Sequence, residues 1–467
     1  MRKLKGSGTV TGGITRIMLL ALGLLLWQTQ AMAQVDSFLN AEDIKASVPS
    51  TLERTLAAKA RQGPPPDDDD VPVETAFVFL FADVPESSDD SDDSDSASGS
   101  GSGGSGLRQE QEVLWYVGLI DPVLSEDGRP MQVSETPAAI VPPAVTADGS
   151  LVAFVRAEDD LICLVDMQTG EETCDDDTPA DNGADDDAED GGTAGGGSAG
   201  GGSARQAASP TGTIDVALSP DGSLLAYVPL STGNTPTTYF VVRDIETGEE
   251  FPVEFLDDSG QPVLQDFDTV DFSESGMEFV FDAMAPFADE NGETMILRAI
   301  FVWDLESGEI IGWGSDEVEL RRPAFGHASD DYLVFEAVSG EEEEEMTTGL
   351  IVADLSQDEI AFGGMIMSLP PAWPGFGADD MSLYFLAPIQ DAETGVGIAS
   401  IPVDLTVLEP AGDPELVMMD AIFGDAYAAG GAADDDDNGT DDDNGDDSNG
   451  DDTGDDDTGG GGGAFPF

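Results

Sequence analysis

The chain of 467 residues holds one histidine, His327, and two cysteines, Cys163 and Cys174, so the side chains that carry most acid–base, nucleophilic and metal chemistry are nearly absent. A Ser-His-Asp hydrolase or a histidine-rich metal centre needs imidazoles that this sequence does not offer. His327 occupies a turn position where comparable segments have Ser or Thr, and a turn or surface role is expected for it. The cysteines stand on either side of Leu164–Thr173, a stretch with the turn signal Thr169-Gly170. A hairpin there brings Cys163 and Cys174 together, and in an oxidising compartment the expected product is a disulfide. Two thiols alone are too few ligands for a metal site.

Other motifs dissolve on inspection. Gly196-Gly197-Ser198-Ala199-Gly200 has the letters of a nucleophile elbow, but it sits in a Gly/Ser linker rather than between a strand and a helix. Gly99–Gly106 lacks a following Lys-Ser/Thr and a helix to cradle phosphate. Paired carboxylates suit a glycosidase, yet with 97 acidic residues such pairs arise by chance. Asp434-Asp435-Asp436-Asp437-Asn438-Gly439 matches the first half of a calcium loop, which makes Asp434, Asp436 and Asn438 the candidate Ca2+ ligands; the twelfth position is Gly445, where a bidentate Glu belongs.

The formal charge of -81, from 97 acidic against 16 basic side chains, excludes nucleic acid and an anionic membrane surface as partners, since both need Lys/Arg patches. Cations and basic protein surfaces fit. Arg2, Lys3, Lys5 and Arg16 precede an apolar run, Ile17–Trp27, and a small-residue site ending at Ala33, the pattern of a cleaved secretory signal over 1–33. The apolar run is too short to span a bilayer, and no later stretch is long and apolar enough, so no transmembrane segment is expected after cleavage. Periplasm and secreted medium are the expected locations. Ile44, Val48, Leu52 and Leu56 recur at helical spacing, so a short helix is expected within Ser37–Arg61, in a helix-and-linker region over 34–73. Acidic Ser/Gly-rich inserts at about 85–111 and 175–208, and a tail over 428–467, cannot build a core and are expected to be disordered. The acidic run Glu341–Glu345 reads as a charged loop.

What lies between these segments repeats. A turn-then-strand unit appears as Thr146–Phe154, Ser219–Tyr227 and Ser273–Phe281, with weaker copies at His327–Phe335 and Gly377–Phe385. After each comes an apolar strand closing on Asp: Leu161–Gly170, Tyr239–Gly248, Ala299–Gly308, Gly349–Glu359 and Ile398–Leu405. In the first unit Asp caps backbone amides, Gly takes positive φ, and the strand ends in an aromatic anchor. One such unit has too little apolar area to fold alone, and stacking the units around an axis buries their faces and protects their edges.

The turn Ser219-Pro220-Asp221-Gly222, the strand Leu225-Ala226-Tyr227 and the ending Asp244-Ile245-Glu246-Thr247-Gly248-Glu249 resemble the WD40-like repeat of TolB-type propellers, over roughly 139–410. The resemblance implies an all-β fold, a TolB-like β-propeller over 74–427, with six blades favoured and seven as the alternative. Ala76–Phe81 and Val113–Asp121 are expected to supply a blade from the N-terminal side, and Leu416–Phe423 to close the ring. Fold does not fix function. With no catalytic set and no cofactor assigned, the expected activity is an exported protein-binding or scaffold module without catalysis, its protein partner unknown. A Ca2+-dependent acidic surface or matrix protein, and a propeller enzyme acting on carbohydrate through carboxylates, are the alternatives.

Overall fold

The computed structural model describes residues 37–38, 45–47, 74–83, 113–122, 130–175, 212–231, 236–288, 294–339, 347–356, 361–368, 372–390 and 392–429. The chain divides into a unit over 1–432 and a second over 433–467, and every described residue lies in the first. The expected leader over 1–33 and the candidate calcium ligands Asp434, Asp436 and Asn438 lie outside the described residues.

The described elements are all strands. First come β1 (Ser37–Phe38) and β2 (Lys45–Ser47), then β3 (Glu74–Asp83), β4 (Leu114–Ile120) and β5 (Met131–Gln132). Four strands follow as β6 (Ala144–Val145), β7 (Leu151–Val155), β8 (Ile162–Asp166) and β9 (Glu171–Cys174), and four as β10 (Thr213–Leu218), β11 (Leu224–Pro229), β12 (Tyr239–Asp244) and β13 (Glu250–Leu256). The next two sets are β14 (Val270–Phe272), β15 (Glu278–Ala288), β16 (Thr294–Asp304) and β17 (Ile310–Gly314), then β18 (Glu319–Phe325), β19 (Tyr332–Ser339), β20 (Thr347–Asp354) and β21 (Ala361–Ser368). Last come β22 (Gly375–Phe376), β23 (Ser382–Pro388), β24 (Val396–Asp404), β25 (Glu409–Pro410), β26 (Glu415–Met419) and β27 (Ala421–Ala429).

These strands form six antiparallel sheets. Blade I is β27-β3-β4-β5, blade II β6–β9, blade III β10–β13, blade IV β14–β17, blade V β18–β21 and blade VI β22–β26. The innermost strands β6, β10, β14, β18, β22 and β27 each touch the next, and β27 touches β6, so the ring closes. The six-bladed expectation holds. Closure is made by the C-terminal strand of the ring pairing with the N-terminal one, Ala421 opposite Phe81 through Ala429 opposite Glu74.

Each repeat motif has a visible cause. In the Ser219 turn the hydroxyl accepts the Leu224 N–H at 2.9 Å and donates to Asp221, while Gly222 takes φ 67°. The Thr146 turn repeats this, with Leu151 N–H on Oγ1 at 3.1 Å. In the second unit, Asp166, Asp244 and Asp304 each accept the N–H three residues on, which fixes the hairpin. The aromatic anchors Phe154, Tyr227, Phe281, Phe335 and Phe385 are all buried between blades. The largest core, between blades III and IV, stacks Phe279 on Trp303 (centroids 5.7 Å) and sets Phe255 against Phe281 at 4.8 Å. Such ring pairs contribute about 1 kcal/mol each beyond the area they bury.

Three expectations need correction. Within the segment expected to be helical, Lys45–Ser47 is instead strand β2, paired with the outer edge of β13, and Ser37–Phe38 is strand β1 on β17. Ile44, Val48, Leu52 and Leu56, whose spacing carries the helical expectation, lie outside the described residues; at Lys45–Ser47, edge pairing satisfies backbone groups that a short lone helix leaves exposed. The Leu416–Phe423 segment splits at Asp420, with β26 belonging to blade VI through β24 and only β27 closing the ring. That closing strand runs to Ala429, past the expected end of the propeller at 427.

Candidate functional site

The six inner strands leave an axial cavity of about 80 Å³, lined by Asp215, Asp271 and Asp425 together with Arg322, His327 and Trp373. Small-molecule sites commonly enclose several hundred cubic ångströms, so this space is too small for a sugar or a drug-sized ligand.

The carboxylates around it share one job, which is to tie each blade to its neighbour. Asp215 on β10 accepts the Val270 N–H of β14 at 2.8 Å. Asp271 on β14 accepts the Phe325 N–H of β18 at 2.9 Å, and its second oxygen takes the N–H of Phe272. Glu336 on β19 accepts two N–H groups, Ala372 at 2.8 Å and Trp373 at 2.9 Å, on the chain entering blade VI. Asp380 accepts the N–H groups of His327 and Ala328 in blade V. Asp425 on the closing strand accepts the Val145 N–H of blade II at 3.0 Å. Short inner strands leave their facing amides without a ladder partner, and a carboxylate on the adjacent strand supplies one.

Two arginines complete this belt. Arg298 donates to Asp282 at 3.0 Å and to Asp266 at 2.8 Å. Arg322 donates to Glu336 at 3.2 Å, approaches Asp268 at 3.5 Å and lies over the Trp373 ring. The remaining charge is uncompensated, and the acids respond. Burial, then the neighbouring Asp425, pushes Asp271 up to about 7. Burial takes Asp425 and Asp380 to about 6 and drives Asp215 well above the aspartate range. Burial also raises Asp282 to about 6, against the opposing pull of Arg298.

His327 lies in the turn between β18 and β19, as expected, and also faces the axis. Its Nε2 lies 3.3 Å from Asp425 Oδ1, it lines the axial cavity, and burial lowers its pKa against the pull of Asp380 and Asp271. The reason is an extra residue. Ser219 N–H bonds the carbonyl five residues on, at Leu224, whereas in blade V Gly326 N–H bonds Tyr332, six residues on. The hydroxyl position therefore falls on Gly326, and His327 is the inserted residue turned toward the axis. Alignment by letter hid this; the lost Ser/Thr and the missing turn Gly were the signal that could have found it.

Cys163 and Cys174 face each other across β8 and β9 with Cα atoms 4.1 Å apart and are joined as a disulfide. Among the described residues, the set of three side chains close enough to hold a metal is Cys163, Glu172 and Cys174, where both sulfurs are already bonded to each other. Glu172 meanwhile accepts the Thr136 hydroxyl and the Glu135 N–H of the chain leaving blade I.

The sheets themselves set the class: this is a six-bladed β-propeller. No family model matches the chain, and no curated protein matches it. Among solved structures the chain is similar to TolB from Acinetobacter baumannii, at 14% identity and TM-score 0.40 over 67% of this chain and 63% of that one. It is similar to the tricorn protease at 12% and 0.36, over 65% and 29% of the two chains. Oligogalacturonate lyase from Vibrio parahaemolyticus gives 12% and 0.35, over 65% and 71%. The chain thus spans less than two thirds of the length of the first two. Among the described residues no helix is long and apolar enough to cross a membrane.

Proposed function

We propose that this protein is an exported binding module without catalysis, which receives a protein partner on the surface of its propeller. One observation carries the reading: the acids that converge on the axis are occupied in bonding backbone N–H groups between blades, and the sole histidine lies against Asp425 with its backbone N–H bonded to Asp380. The leader pattern over 1–33 and the Cys163–Cys174 pair support export.

The test is photo-crosslinking of the full chain in its own host, with the photoreactive group placed in turn at the exposed Met381, Val407 and Ile296. A discrete partner that cross-links from some positions and not from others is the expected result. A reading without catalysis is overturned by turnover of any glycoside, peptide or ester that Asp271→Asn or His327→Gln abolishes while the fold persists.

A further inference from the structure

A cleft lies between blades IV and V, away from the axis, with about 390 Å³ of space. Its apolar wall is Val302, Ile311, Trp313 and Leu355, and its rim is Glu278, Asp304, Glu306, Asp330 and Asp331. Ile311 is 39% exposed, a β-branched apolar side chain presented to solvent inside a ring of acids.

Three features set this cleft apart from an ordinary acidic surface. First, Glu278 stands directly opposite Asp304 in the β15–β16 ladder. Like charges at facing positions destabilise a sheet, and elsewhere in the ring such crowding is relieved by arginine, whereas here Asp304 has the N–H groups of Glu306 and Ser307 and Asp330 that of Ser275. Here no Lys or Arg lines the cleft, and each described Lys or Arg already faces a carboxylate elsewhere: Lys45 with Asp258, Arg156 with Asp159, Arg243 with Asp175, Arg298 with Asp282, Arg321 with Glu319 and Arg322 with Glu336. Second, burial and then Asp330, Asp304 and Asp331 push Glu278 up to about 7, the response of a carboxylate that lacks a cation. Third, Trp313, only 3% exposed, belongs to the wall, and among the described residues its buried indole Nε1–H has no acceptor. A bare metal ion answers the charge alone. A peptide answers the charge and the apolar wall together, with a cationic head for the acids and an aliphatic stem for the wall.

We infer that this cleft docks a basic peptide segment, with a lysine or arginine stem lying along Val302, Ile311 and Trp313 and its charged head among Glu278, Asp304, Asp330 and Asp331. The inference rests on the binding-module reading and names the chemistry of its partner. Recognition is electrostatic at the rim and apolar at the floor, so it discriminates Arg/Leu-containing segments from polar cationic ones.

The experiment is fluorescence anisotropy of a labelled acetyl-Leu-Arg-Leu-Arg-amide peptide on the full chain at about 0.15 M salt, where long-range attraction to the polyanion is screened. Saturable binding is expected. It weakens at least about tenfold in the Glu278→Gln/Asp331→Asn double variant and, separately, in Ile311→Ser. Glu409→Gln, an equally acidic exposed position on blade VI, leaves it unchanged. Glu278→Gln alone is expected to raise the melting temperature while lowering affinity, a pairing that a purely structural glutamate does not produce. No saturable binding by the unaltered chain, cleft variants that bind like it, or an equal loss in Glu409→Gln each overturns the assignment. If position-dependent cross-linking in the host persists while the cleft variants bind normally, the cleft falls and the binding module stands; if the peptide binds through the cleft in a protein that also turns over a substrate, the reverse holds.

Discussion

Replacing Asp271 by Asn tests whether the axial acids are structural ties held at an electrostatic cost. Asp271 bonds Phe325 N–H at 2.9 Å and Phe272 N–H at 2.8 Å, so Asn keeps the shape and one acceptor while removing the charge. The folded pKa is raised from 3.8 to about 7, chiefly by burial and then by Asp425. A raised acid means that the folded state binds the proton more tightly than the unfolded chain does. Its contribution to stability is therefore full below the unfolded value and is lost as pH rises from about 4 through about 7. At about 1.4 kcal/mol per pH unit the loss across that window is bounded at roughly 4 kcal/mol. The Asn variant has no such slope at this site. Urea unfolding followed by tryptophan fluorescence, in steps from pH 4.5 to 8, should show Asp271→Asn gaining about 2–4 kcal/mol on the parent as pH rises, with an offset of about 1 kcal/mol against it at the acid end for the lost hydrogen bond. Parallel pH profiles for the two proteins refute the reasoning, since they mean that Asp271 titrates alike in the folded and unfolded chains.

Two further outcomes follow from the same geometry. Glu336→Gln keeps the acceptor for Ala372 and Trp373 but turns an amide toward Arg322, leaving the half-buried guanidinium with Asp268 at 3.5 Å as its counter-charge; a loss of about 2 kcal/mol in urea unfolding at pH 7 is expected, and an unchanged midpoint removes the assigned role. Replacing Cys163 and Cys174 together by Ala opens a loop of sequence separation 11 and should lower stability by about 3 kcal/mol, while intact-mass alkylation of the parent purified from its host should find no free thiol.

The repeat lettering carried the fold because each letter answers a local need. Ser219 and Asp221 cap amides within five residues, Gly222 takes a φ that other residues resist, and Tyr227 fills a gap between blades; such short-range causes are readable in order along the chain. Pairing Cys163 with Cys174 across one hairpin is local in the same sense. Blade number was legible as a preference, because counting strand pairs from sequence leaves open which terminal segment closes the ring.

The axial site was not legible. Asp215, Asp271, Glu336 and Asp425 are four of 97 acids, and nothing in their neighbours along the chain separates them from solvated ones. What distinguishes them is an amide 55, 54, 36 and 280 residues away, delivered by the next inner strand around the axis. The strand at Lys45–Ser47 was hidden for the same reason, since it takes its conformation from the edge of β13, more than 200 residues downstream. Sequence by itself determined the repeat unit, its turns, its aromatic anchors and the scarcity of catalytic groups. Only the tertiary structure decided which carboxylates are buried, which have a cation and which lack one, because burial and charge compensation are set by what the closed ring brings alongside.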